Sequence, residues 1–230
     1  MNIKEKIEKT QNEFSQNLWE IDDFVFETKL SYAFYQDKYK ELLEKNKPDD
    51  EGMTLFTRIN SKIPKHTLEI NVLAIINAVA RTEAYLNDIL ECLFLWNRKS
   101  LISDKTITYK EAIEFENIDE LIKSIRQREI LEFSHSSFKD KLKFLNKKFN
   151  LTFPEIEKVQ DEIIELFTTR NIILHNNGIV NQTYIKQNKR TKLKLGSKRV
   201  VDEDYTRNGI RNLRTIGYSV AGNVIEKINK

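Results

Sequence analysis

Near the C-terminus, Arg170-Asn171-Ile172-Ile173-Leu174-His175 sets a permanent cation and an imidazole five residues apart. Imidazole is the side chain that most readily gives and takes protons near neutral pH. A fixed cation and a proton-transfer group at this spacing could act together on an anionic group, provided that one element holds both.

That element is a predicted helix. Thr152 and Glu155 stand in capping-box spacing, with Pro154 in the first turn where its missing N–H costs nothing. Asn177-Gly178 supplies residues that tolerate the left-handed conformation closing a helix, so the pattern predicts a helix over 152–176. At about 100° per residue, Ile156, Val159, Ile163, Leu166, Phe167, Ile173 and Leu174 share one stripe, with Arg170 near its centre. A guanidinium there needs a paired charge, a cleft or a partner surface. A second predicted helix, over 67–97, supplies the charge: Leu68, Val72, Ile76, Val79, Leu86, Leu90 and Phe94 form its apolar face, and Glu83 falls in the middle. A purely structural ion pair fits these two residues as well as a functional one does.

Asn171 and His175 are i, i+4 neighbours on a flank about 100° to 140° from Arg170, where Ile164 and Ile172 also project. Apolar groups on a flank that the main stripe does not use predict a partner subunit there. The cationic form of an imidazole at a helix C-terminus is favoured by about 0.3–1 kcal/mol, which suits an acid or base, although a lone surface histidine looks the same.

These residues resemble the HEPN superfamily, whose members carry an R-x(4–6)-H motif on the last long helix of a small helical bundle, and are closest to its RiboL-PSP-HEPN-like group. The match is R-N-x-x-x-H followed by Asn-Asn-Gly. Ala80-Arg81-Thr82-Glu83-Ala84-Tyr85-Leu86-Asn87-Asp88 resembles the earlier long helix, and Ser137 to Phe149 the amphipathic segment before the motif helix, so the likeness spans residues 65–228. It implies a metal-independent endoribonuclease, usually a homodimer with a composite cleft between two motif helices, of toxin or antiphage-defence type, with an antitoxin or defence-system protein as a further partner. His175 would be the acid/base during attack of the ribose 2′-OH on phosphorus. Arg170 would hold the phosphate and stabilise its charge, Asn171 would orient the site, and Glu83 would fix Arg170. Such chemistry needs the 2′-OH and leaves DNA intact. Members without catalysis act as modules that bind RNA, nucleotide or protein, so a silent binding module is the alternative, and an ordinary helical interaction protein a third.

The remaining composition is consistent with this frame. With Gly and Pro scarce, a charged fraction of 32% and apolar residues at helical spacing, the class is all-α. The expected architecture is an N-terminal helical extension over 1–64 and a HEPN-like helical bundle over 65–230, with a break at Asn46 to Gly52 separating helices near 3–45 and 55–97. No signal peptide or membrane-length apolar run is present and Cys92 is alone, so a cytoplasmic protein without membrane partners is expected. His66, His135 and His175 lack metal-ligand spacing, and there is no glycine-rich phosphate loop, so neither metal nor cofactor is expected. Ser134-His135-Ser136-Ser137 lacks nucleophile-elbow glycines and reads as a polar connector.

Net charge is only +3, yet seven Lys or Arg and no acid lie between Lys186 and Arg199. Leu193, Leu195 and Gly196 interrupt the run, which predicts a loop or short hairpin before the last helix. Lys186, Lys189, Arg190, Lys192 and Lys194 are the expected RNA-backbone contacts, with Tyr184 as a base-stacking surface beside them; a solvated loop is the plainer reading. Ile210, Leu213, Ile216, Val220, Val224 and Ile228 at helical spacing predict a final helix used for core or dimer contact.

Overall fold

The computed structural model describes residues 2–45 and 51–230. All regular elements among them are helical: α1 (Ile3–Lys45), α2 (Glu51–Trp96), α3 (Tyr109–Ile113), α4 (Ile118–His135), α5 (Phe138–Phe149), α6 (Pro154–Glu157), α7 (Gln160–Asn176), α8 (Gln182–Gln187) and α9 (Glu203–Ile228). A 3-10 turn at Arg98–Leu101 follows α2. No helix among the described residues is long and apolar enough to cross a membrane. The break expected at Asn46 to Gly52 falls on residues 46–50, outside the described residues, and on the start of α2.

Helices α1 and α2 lie against each other, and α9 packs along both. Ile7, Phe14, Leu18, Ile21 and Val25 of α1 share one core with α2 and with Ile210, Leu213, Ile216, Val220 and Val224 of α9. The residue 64/65 boundary lies inside α2. Three helices converge at Gly217: the rings of Phe14 and Tyr85 stack at 4.3 Å, and the Tyr85 hydroxyl donates to the Gly217 carbonyl at 2.9 Å. A Cβ on Gly217 would lie 2.9 Å from the Phe14 ring, so glycine is what lets α9 approach α1 so closely. Farther along, Tyr35 stacks on Phe56 at 5.4 Å and the Tyr39 and Thr57 hydroxyls meet at 3.0 Å, so the paired α1 and α2 run on past the last buried residue of α1, Val25.

On α2 the expected apolar face is shifted. Val79, Leu86, Leu90 and Phe94 are buried, but Leu68 is exposed and Val72 and Ile76 are half-buried. The neighbours of α2 change along its length, so no single straight stripe describes its contacts.

The helix expected over 152–176 is two helices. Pro154 occupies the first turn of α6 and disfavours helical geometry at the residue before it, so Phe153, at φ −134° and ψ 65°, becomes the N-cap. Thr152 therefore does not cap, and no side chain caps α6. Phe153 and Ile156 both enter the core, and Val159 at φ −122° and ψ 18° breaks the helix before α7 sets out across α2 and α9. The other end follows expectation: Asn177 and Gly178 take φ of 51° and 75°, and the Gly178 N–H reaches back to the Ile172 carbonyl at 2.9 Å.

Beyond Gly178 the chain doubles back. Val180 N–H donates to the Ser197 carbonyl and Gly196 N–H to the Val180 carbonyl, both at 2.9 Å, and Arg199 N–H to the Gly178 carbonyl at 2.8 Å. The basic segment is thus a short helix, α8, and a loop paired at its far end with residues 178–180. This return covers the α7 flank on which a partner subunit is expected: Ile172 is buried with Val180 and Tyr184, and Ile164 packs on the main core. The two apolar residues from which a partner is expected are thus covered by their own chain, while Asn171 and His175 on the same flank stay exposed. Leu174, expected on the inward stripe, is 51% exposed.

Candidate functional site

Helix α7 forms one side of a cleft of about 1370 Å³. Glu83 and Asn87 of α2 contribute to its floor, the corner between α4 and α5 stands on one side, and α8 with the basic loop stands on the other. The corner is set by sequence: Ser137 is the N-cap of α5, its hydroxyl accepting the Asp140 N–H at 3.2 Å.

Within the cleft, Arg170 and Glu83 form an ion pair through Nη2 and Oε2, and Nη1 of Arg170 donates to Asn171 Oδ1 at 2.9 Å. Their side chains keep 16% and 31% of their exposure, so this pair sits at the boundary between core and cleft. Opposite charges on two apolar stripes have met as the pattern predicts. Nε of Arg170 is buried without a partner.

Below the corner lies Lys141 of α5, only 1% exposed. Its Nζ donates to the carbonyls of Ser134 at 2.8 Å and Ser136 at 2.6 Å, and stands 5.2 Å from the centre of the Phe133 ring. Burial pushes the ammonium below the usual lysine range; nearby Glu83 opposes that shift and Arg170 adds to it. The signal for Lys141 was in the sequence, since it too is a charge on an apolar stripe, between Phe138 and Leu145.

A second polar cluster anchors the basic loop. The Tyr184 hydroxyl donates to Glu165 Oε1 at 2.6 Å, Arg199 Nη2 lies 3.2 Å from that oxygen, and the Arg199 guanidinium stacks 3.8 Å from the Tyr205 ring. Tyr205 in turn donates to Thr169 Oγ1 at 2.9 Å. Burial, then Glu165, raises both phenols: Tyr184 far above the ordinary range and Tyr205 to about 12. Asn188 Nδ2 donates to Thr168 Oγ1 at 2.7 Å and to the Tyr184 carbonyl at 2.9 Å, fixing the start of the loop against α7. Tyr184, at 1% exposure, cannot stack on a base; it is a buried anchor instead.

Of the residues that the sequence marks as candidates, Glu83, Arg170, Asn171, Lys186, Lys189, Arg190 and Lys192 line one cleft. His175 and Lys194 do not. His175 is exposed in the last turn of α7, one turn beyond Asn171. Conversely, His135 and Lys139 of the corner, Arg199 and Glu165 line the cleft although nothing in their spacing points there. Arg170, Arg199 and Arg190 are paired with Glu83, Glu165 and Asp161, the last pair at 2.8 Å. Among the described residues that leaves Lys139, Lys186, Lys189 and Lys192 facing the cleft without an ion-pair partner, against one unpaired acid, Glu162. The cleft is electropositive and suits a polyanion. Among the described residues no group of three His, Cys, Asp or Glu side chains is arranged to hold a metal ion.

Comparison with protein-family models, with curated proteins and with solved structures found no match.

Proposed function

We propose that this chain is a HEPN-like, metal-independent endoribonuclease of toxin or antiphage-defence type. The reading rests on one observation: Arg170, held by Glu83 and joined to Asn171, lines the same cleft as Lys186, Lys189 and Lys192, which have no paired acids. An anionic strand drawn along the lysines would bring a phosphate to a guanidinium that is already oriented. Arg170 then stabilises charge developing on phosphorus, Asn171 orients the phosphate, and His175 transfers a proton. Since His175 stands outside the cleft of its own chain, it acts at a composite site with a second copy, where two α7 ends meet.

The position of His175 also favours a second reading, a module that binds RNA, nucleotide or a protein partner and does no chemistry. The two are separated by incubating purified protein with total RNA in EDTA. The nuclease cuts, leaves 2′,3′-cyclic phosphate ends, spares substrates with deoxyribose at the scissile position, and loses about 10²- to 10⁴-fold in rate on His175→Ala or Arg170→Ala. RNA that is bound in a salt-dependent manner yet stays uncut across a broad pH range assigns the binding module. Toxicity on expression, relieved by His175→Ala, is the corresponding result in cells.

A further inference from the structure

The histidine that lines the cleft is His135, from the corner that reads in sequence as a mere connector. It is the last residue of α4. Its backbone is held unusually well: the carbonyls on either side of it, those of Ser134 and Ser136, both accept from the buried Lys141 ammonium, at 2.8 and 2.6 Å. The Ser134 hydroxyl donates to the Leu131 carbonyl at 2.7 Å and the Ser136 hydroxyl to the Glu132 carbonyl at 3.0 Å. The imidazole itself is exposed and makes no hydrogen bond to the protein among the described residues. The fixed backbone sets where the ring sits on the cleft wall, and the ring's free nitrogens are open to a ligand. The ammonium satisfies carbonyls left open at the end of α4, and so holds the corner at the desolvation cost of a buried charge.

We propose that His135 is a proton-transfer residue of the cleft and that Lys141 is its positioning residue. This rests on the nuclease reading. The same cleft is lined by Lys139 of α5, Glu83 of α2, Asp161 and Arg170 of α7, and Lys189 and Arg190 of the loop. With a phosphate held at Arg170, neutral His135 takes the proton of the ribose 2′-OH. The 2′-oxygen bonds to phosphorus as the bond from phosphorus to the 5′-oxygen breaks, and the leaving oxygen takes a proton from the imidazolium of His175 at the composite site. The products are a 2′,3′-cyclic phosphate and a 5′-hydroxyl; one proton has moved onto His135 and one has left His175, and exchange with water resets both.

The test is single-turnover cleavage of an end-labelled oligoribonucleotide by the full chain over pH 5–9, with affinity measured on the same oligomer carrying deoxyribose at the scissile position. His135→Ala is expected to slow cleavage by about 10²-fold or more, to abolish the rise in rate with pH that reports the base, and to leave affinity and melting temperature unchanged because the ring is exposed. Lys141→Met, if His135 is positioned by it, lowers the cleavage rate while affinity stays and the same pH limbs remain. His135→Ala that cuts at the wild-type rate with both limbs intact overturns this proposal and leaves the nuclease standing. Wild-type protein that cuts no RNA overturns both.

Discussion

The hydroxyl of Tyr184 donates to Glu165 Oε1 at 2.6 Å, which ties the short helix α8 to the α7 wall of the cleft. With Arg199 on the same carboxylate at 3.2 Å, both ends of the basic loop converge on Glu165. The lysines of the loop are thus carried on a segment pinned at its two feet, and their spacing relative to Arg170 is set before any ligand arrives.

Removing the Tyr184 hydroxyl should loosen that attachment. Tyr184→Phe is expected to cost about 1–2 kcal/mol at neutral pH in urea unfolding, the range for a hydrogen bond to a carboxylate that keeps a second partner. The pH dependence has a defined sign. Tyr184 and Tyr205 have folded-state pKa values raised above the unfolded value near 10, Tyr205 to about 12. Their contribution is therefore complete below about pH 10 and is lost as pH rises through the folded values. Wild-type stability should fall above pH 10, and more shallowly in Tyr184→Phe, which has one fewer such phenol.

Glu83→Ala leaves the Arg170 guanidinium largely buried without its counter-charge. The expected loss is about 2–3 kcal/mol by chemical denaturation, less than the roughly 3–5 kcal/mol of a fully enclosed pair because Glu83 retains 31% exposure. A double-mutant cycle with Arg170→Met should recover much of that loss, showing that the penalty belongs to the stranded charge.

Binding should separate lysines that look alike in sequence. Lys186, Lys189 and Lys192 line the cleft and Lys194 does not. Neutralising any of the first three is expected to weaken single-stranded RNA binding and to lower the slope of log affinity against log salt by about 0.7 for each phosphate that no longer meets a cation. Lys194→Ala should change neither by a comparable amount. Equal effects at all four positions would mean that the loop acts as a diffuse charge rather than as a wall.

Self-association, if the site is composite, should centre on the exposed end of α7. Leu174 is 51% exposed beside His175, an apolar residue near the end of the helix that its own chain leaves open. Leu174→Asp is expected to yield monomers in light scattering at micromolar concentration, to keep its helical circular dichroism, and to abolish cleavage. A wild-type protein that is already monomeric under those conditions removes the composite site.

The parts of the structure legible in the sequence are those decided by local pattern. The stripe of α9 is one continuous apolar face, so Ile210, Leu213, Ile216, Val220 and Val224 are buried, and only Ile228 in its last turn is half-buried. Asn177 and Gly178 end α7 because their backbone freedom is intrinsic. The Arg170–Glu83 pair was legible because two opposite charges each interrupted an otherwise apolar stripe. The rest depends on distant chain. Ile172 is covered by residues 178–199 folding back, Tyr184 is buried by finding Glu165, and His135 reaches the cleft only because α4 and α5 turn their corner towards α7. Spacing along one helix carries no record of such arrivals. The break at Val159 is a nearer miss: Pro154 fixes the first turn, and the burial of Phe153 and Ile156 sets a direction that α7 does not share.

The pairing of α1 with α2 beyond the core has a hydrodynamic consequence. Lys29 meets Glu203, the first residue of α9, at 3.1 Å, and past that point α1 continues to Lys45 alongside α2. At about 1.5 Å per residue, this stretch carries the molecule about 24 Å beyond its body. A 27.3 kDa protein with such a spar has more frictional drag than a sphere of its mass. Against globular standards its monomer will elute somewhat earlier from a gel-filtration column than its mass predicts.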